Sequence, residues 1–219
     1  MVLFHGYLSS KEAFAAQVEY FSRFYRVTAF DFLGFGGSKC LTNAFSVTDY
    51  AAWTREVLIR LDVEKPHVIA HSFGCRVAVK MAALYSAFDK IILTGPAGII
   101  LKRGFSYRWK VGTYRFVRRF APKFAERKFG SAEYRSLSPI MRESYKKIVN
   151  EDLREDARKI KNPVLIVEGE EDTTTPLAEA KIYLENLQNG RLQSMQGGHF
   201  AFAEHPLVFN LIAEGFLYD

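Results

Sequence analysis

Apolar and polar residues follow two alternating periods along this chain. Segments of strand length and character stand at 2–5, 26–31, 66–71, 90–94, 163–168 and 191–195. Between them, apolar positions recur every three or four residues over 11–23, 46–61, 73–86, 177–187 and 204–217, the spacing of one helix face. Strands that alternate with helices return parallel to one another, and the helices cover both faces of the sheet. The pattern predicts an α/β fold: a mostly parallel central sheet with helices on both faces. In such sheets the ligand crevice lies beyond the carboxyl ends of the strands. Between Gly95 and Pro163 the alternation gives way to a helical, aromatic and basic stretch. A core of residues 1–98 and 160–219, interrupted by a helical insertion over 99–159, is the domain organisation this predicts.

One strand end carries chemistry. In Val68-Ile-Ala-His-Ser72-Phe-Gly-Cys75 the apolar run stops at a serine and a helical pattern starts at once. A strand that reverses into a helix within one residue strains that residue, and small neighbours two before and two after, here Ala70 and Gly74, let the chains approach. The turn projects the Ser72 hydroxyl at the sheet edge, with the first N–H groups of the helix beneath it. A serine hydroxyl is a weak nucleophile until an imidazole takes its proton, and the imidazole needs a carboxylate to hold its tautomer. Asp172, in Glu170-Glu-Asp172-Thr-Thr-Thr-Pro176, and His199, in Gly197-Gly-His199-Phe200, both follow strand-like runs. Glu170 and Glu171 compete for the carboxylate role, and Asp172 is also placed to cap the helix that follows. His71 and His5 read as structural, and His67 and His205 have no motif around them.

The order Ser72, Asp172, His199 resembles that of the α/β-hydrolases, with Ala70 standing where their G-x-S-x-G pattern has glycine. Val2-Leu-Phe-His5-Gly6-Tyr7 is similar to their oxyanion loop, and Asp31-Phe-Leu-Gly34-Phe-Gly36-Gly-Ser38 to their D-x-x-G-x-G-x-S loop. The resemblance runs from Val2 to the C-terminal helix. It implies Ser72 as nucleophile, His199 as proton shuttle, Asp172 as its orienter, and an oxyanion hole from the N–H groups of Tyr7 and Phe73. It also implies that residues 99–159 form a cap over the pocket, with Phe105, Trp109 and Phe200 against an apolar or aromatic part of the substrate. The expected activity is hydrolysis of a small ester, thioester or amide, with no cofactor and no metal. Carbon–carbon bond hydrolysis and cofactor-independent elimination use similar residues, and a ligand-binding protein that keeps the triad shape without turnover is the reading from another class.

The chain has 219 residues, 48% of them hydrophobic, with a net charge of +6. That suffices for one large core, and no apolar span has membrane-crossing length. The start lacks the pattern of a secretory signal, and Cys40 and Cys75 lie in different motifs, which predicts a reducing, cytoplasmic setting. The basic residues concentrate at 102–128: Lys102, Arg103, Arg108, Lys110, Arg115, Arg118, Arg119, Lys123, Arg127 and Lys128 stand against Glu126 alone. They are read either as a solvated helix face or as attraction for an anionic substrate or membrane surface. No nucleic-acid module accompanies them. Family members carry two further strands before the His-Gly loop. Either an incompletely assigned start hides these strands, or 26–31 becomes an apolar sheet edge open to homodimer pairing.

Overall fold

The computed structural model describes residues 1–101, 134 and 136–219. Six strands, β1 (Val2–Phe4), β2 (Thr28–Ala29), β3 (Val68–His71), β4 (Ile91–Thr94), β5 (Val164–Gly169) and β6 (Gly190–Met195), form one sheet in the order β2-β1-β3-β4-β5-β6. Every pairing is parallel. Helices α1 (Ala15–Phe21), α2 (Val47–Arg60), α3 (Phe73–Tyr85), α4 (Pro139–Val149), α5 (Arg154–Ala157), α6 (Leu177–Asn186), α7 (Ala201–Glu204) and α8 (Pro206–Tyr218) connect and cover them. Each expected strand and helix of the core is present. Helices α4 and α5 lie between β4 and β5, where the insertion was expected.

Three boundaries differ from the expectation, each for a local reason. A 3₁₀ turn at Lys11–Phe14 precedes α1, so the first helix is tighter at its start. The last helix is split at His205, because Pro206 has no N–H to continue α7 and instead opens α8 at its first position. The strand expected over 26–31 pairs only at Thr28–Ala29. Beyond it, Phe30 and Phe32 turn into an edge-to-face cluster with Phe4 and Trp53. Strand β2 is the sheet edge, as expected, but its short length leaves few unpaired donors and acceptors.

Period-two alternation sorts the strand residues to opposite faces. Val2, Phe4, Val68, Ala70, Ile91, Leu93, Val164 and Ile166 pack with α2, α3 and Tyr183 of α6. Leu3, Ile69, Ile92, Leu165 and Val167 pack with Phe14, Phe21 and the Phe209–Leu217 face of α8. Burial on both faces explains why these strands read as continuous apolar runs. On α3, Arg76 and Lys80 stand one turn apart and hold the insertion's return. The Arg76 guanidinium donates to the carbonyls of Ile148 and Glu151 at 2.8 and 2.9 Å. Lys80 pairs with Glu151 at 2.8 Å and with Asp156.

Helix α3 starts close against β1, and Gly74 makes that possible. A Cβ on Gly74 would lie 2.2 Å from the Phe4 carbonyl oxygen and 2.9 Å from that of His5. Both are backbone atoms and cannot swing aside. Gly74→Ala is expected to destabilise the fold by about 3 kcal/mol or to prevent folding, the upper range of overpacking, read as a lowered denaturant midpoint. A midpoint equal to wild type would show that α3 shifts freely on β1.

Candidate active site

Strand β3 ends at His71 and α3 begins at Phe73, so Ser72 alone turns the chain. Its backbone stands at φ 50° and ψ −108°, a conformation costly for any residue with a Cβ. The turn is pinned on both arms: the Ser72 N–H donates to Thr94 at 3.1 Å, and the Ser72 carbonyl accepts from Cys75 at 3.1 Å. The strain therefore serves to aim the side chain. The Ser72 hydroxyl has no hydrogen-bond partner among the described residues.

The loop after β1 lies against this serine. A Cβ on Gly6 would sit 3.5 Å from the Ser72 Cβ. His5 shapes that loop, as expected: its Nε2 accepts the Phe32 N–H at 3.0 Å, which leaves the hydrogen on Nδ1, 2.7 Å from the Gly6 carbonyl. Asp31 stiffens the neighbouring loop by accepting the N–H groups of Lys11 and Gly37 at 2.7 and 2.8 Å. The N–H groups of Tyr7 and Phe73 donate to no carbonyl among the described residues. Above them, the Tyr7 ring meets Phe73 at 5.8 Å and Tyr145 of α4 at 5.2 Å.

Of the three acids Asp172, Glu170 and Glu171, Asp172 is the one in contact with His199. Its Oδ2 lies 2.6 Å from His199 Nδ1, while Glu170 and Glu171 are exposed and Glu170 accepts from Ser194. Asp172 Oδ1 accepts the N–H groups of Thr174 and Thr175 at 2.7 and 3.0 Å, and Oδ2 also accepts the Thr175 hydroxyl at 2.9 Å. Burial opposes the charge most strongly, yet His199 and these amides outweigh it and hold the carboxyl well below the usual carboxylate range. An ionised Asp172 fixes the hydrogen of His199 on Nδ1 and turns Nε2 into a base. No three His, Cys, Asp or Glu side chains cluster as a metal site among the described residues.

Phe200 borders the pair: it is 44% exposed, with its ring 5.4 Å from that of His199. Phe105 and Trp109 lie outside the described residues. Three groups at the site were not read from sequence as part of it. Thr175 contacts both Asp172 and His199, and nothing in Asp-Thr-Thr-Thr marks which threonine does so. His71 bonds to the His199 main chain at 2.9 Å. Glu168, the lone acid in an otherwise apolar strand, was legible as an anomaly. It is fully buried, and neither carboxyl oxygen has a hydrogen-bond partner among the described residues. Burial, with the Asp172 carboxylate beside it, pushes Glu168 up to about 9, so it is neutral where Asp172 is charged.

A family model described as α/β hydrolase fold matches residues 1–139. The chain belongs to that family. Among characterised proteins it is 34% identical over 74 residues to (E)-2-((N-methylformamido)methylene)succinate hydrolase of Acinetobacter baylyi, a stretch covering 34% of this chain and 28% of that hydrolase. It is 22% identical over 218 residues to 3-oxoadipate enol-lactonase 2 of the same organism, covering 90% of this chain and 80% of the lactonase. An esterase from Exiguobacterium antarcticum superposes with a TM-score of 0.78 at 21% identity over all of this chain and 91% of the esterase, a likeness of fold alone. Hydrolases thus surround the chain in its family. No helix among the described residues is long and apolar enough to cross a membrane.

Glu168 makes a pH test. A glutamate ionises near 4.5 when unfolded but near 9 here, so the folded state retains a proton that the unfolded state releases. The folded acid therefore incurs no penalty below about pH 4.5, and stability falls as pH rises from there to about 9. Glu168→Gln is expected to gain stability relative to wild type by about 1 kcal/mol per pH unit between about pH 5 and 8. Urea melts across that range check it. Parallel curves for the two proteins would mean that Glu168 is ionised in the fold.

Proposed function

We propose that the protein is a serine hydrolase that cleaves a small carboxylic ester, open-chain or cyclic, through an acyl-enzyme. The observation that carries this reading is the 2.6 Å contact between His199 Nδ1 and Asp172 Oδ2, next to a serine held in a strained turn. Ser72 Oγ attacks the substrate carbonyl carbon as its proton passes to His199 Nε2. The N–H groups of Tyr7 and Phe73, which donate to no carbonyl among the described residues, receive the developing oxyanion. Collapse expels the alcohol, which takes the proton from His199. Water then repeats the sequence on the acyl-enzyme and releases the acid. Asp172 stays ionised throughout and balances the imidazolium. Contacts between such a serine and its histidine often tighten only with substrate bound, consistent with a free Ser72 hydroxyl here.

Esters rank before amides because the relatives include an esterase and an enol-lactonase by name. The half-exposed Phe200 beside His199 favours an apolar acyl group or alcohol. The basic stretch at 102–128 favours an anionic substrate over a neutral one.

A fluorophosphonate probe and a series of p-nitrophenyl esters of increasing chain length test the reading together. Wild type is expected to be labelled and to hydrolyse one length best, and Ser72→Ala to do neither. Asp172→Asn should fold normally and lose about 10⁴-fold in kcat, the loss seen when the imidazole proton sits on the wrong nitrogen. Folded wild type that resists the probe would instead identify a binding protein on a hydrolase scaffold.

A further inference from the structure

His71 is the last residue of β3, one position before Ser72, and only 1% exposed. Its Nε2 lies 2.9 Å from the main-chain oxygen of His199. A carbonyl can only accept, so Nε2 carries the hydrogen and Nδ1 is left with a bare lone pair. That Nδ1 is buried without a partner among the described residues and faces Gly6, where a Cβ would lie 2.8 Å from it. The ring is packed against His199, Phe200 and Phe202 at centroid distances of 4.7, 4.8 and 4.8 Å. It fills the space between the serine turn and the histidine loop.

Space-filling does not account for a histidine at this position. An apolar side chain would fill the same volume without burying an unpaired nitrogen, which costs about 1–3 kcal/mol. What histidine supplies is the N–H to His199. That bond joins segments 128 positions apart, and the residue that accepts it is the one whose imidazole meets Asp172. The only other side-chain bond to the main chain of residues 197–199 among those described comes from Glu204, which accepts the Gly198 N–H at 2.8 Å. Neutrality fits this work: burial, aided by His199, lowers His71 to about 3, so it does not add a positive charge beside the imidazole when His199 becomes protonated.

We propose that His71 is a positioning residue whose Nε2–H holds the His199 main chain against the end of β3 and so sets the position of the imidazole that meets Asp172. It does not touch substrate. The proposal rests on the serine hydrolase reading and deepens it, since the nucleophile's own strand supplies the strut for the base.

Three variants separate the hydrogen bond from the packing. His71→Leu keeps the bulk and removes the donor. His71→Asn keeps polarity but is too short to reach the carbonyl. His71→Gln carries an amide nitrogen at the reach of Nε2. Leu and Asn are expected to lower kcat and the fluorophosphonate labelling rate about 10²-fold, the scale for a misplaced catalytic group, with KM changed less than about threefold. Gln should recover to within about tenfold of wild type. Hydrogen–deuterium exchange gives a readout without turnover: amides 197–205 should exchange faster in Leu and Asn, but not in Gln. If Leu does not fold, Asn alone stands against Gln. Equal rates and equal exchange in Gln and in the donorless variants would overturn the strut and leave His71 as packing. Should wild type itself resist the probe, the hydrolase reading fails, while the exchange comparison still decides whether the bond holds the loop.

Discussion

The site depends on a turn made by one residue. Ser72 accepts a positive φ so that β3 can give way to α3 without a loop between them. The compensation lies around it: Thr94 and Cys75 bond to its main chain, and Gly74 lets α3 lie directly on the carbonyls of Phe4 and His5. The close approach of α3 to β1 also brings the loop at Gly6 and Tyr7 beside Ser72. A looser turn would relieve the strain and separate the serine from the loop at Gly6. Strain of this kind persists only where surrounding structure over-determines it.

Two buried acids lie near each other at the end of β5 and carry opposite charge states. Asp172 accepts two main-chain N–H groups, the Thr175 hydroxyl and the His199 imidazole, and is ionised. Glu168, deeper in the same strand end, has no such donors and keeps its proton. Neutrality of the second is the condition for charge on the first, because two anions at this depth would repel through a medium that screens them weakly. The contrast shows that donors, rather than depth alone, decide which carboxyl is charged.

Helices α4 and α5, between β4 and β5, are held to α3, the helix that begins just after Ser72. Arg76 and Lys80 project from one face of α3 to the carbonyls of Ile148 and Glu151 and to the carboxylates of Glu151 and Asp156. Tyr7 adds a second tie, its ring tilted against that of Tyr145 and its hydroxyl donating to the Met141 carbonyl at 3.4 Å.

Much of this was legible in the chain itself. Apolar runs located β1, β3, β4 and β5, because burial on both sheet faces leaves an unbroken apolar signature, and helical spacing located the core helices. Ser72 and His199 were legible because the turns that present them demand small neighbours in fixed places. The edge strand was overestimated, since Phe30 and Phe32 look like strand residues but leave the ladder for an aromatic cluster. Sequence left Asp172 in competition with Glu170 and Glu171, as adjacent carboxylates are chemically alike until the fold buries one and supplies it with donors. It likewise left His71 as a structural histidine with no partner named, and Thr175 as one of three threonines. Local sequence determined where strands stop and helices start, because backbone geometry and hydrophobic periodicity act over a few residues. Which acid meets the imidazole, which glutamate keeps its proton and what holds His199 in place were decided only by tertiary structure, since those contacts join residues brought together by the packing of β3, β5 and the loop after β6.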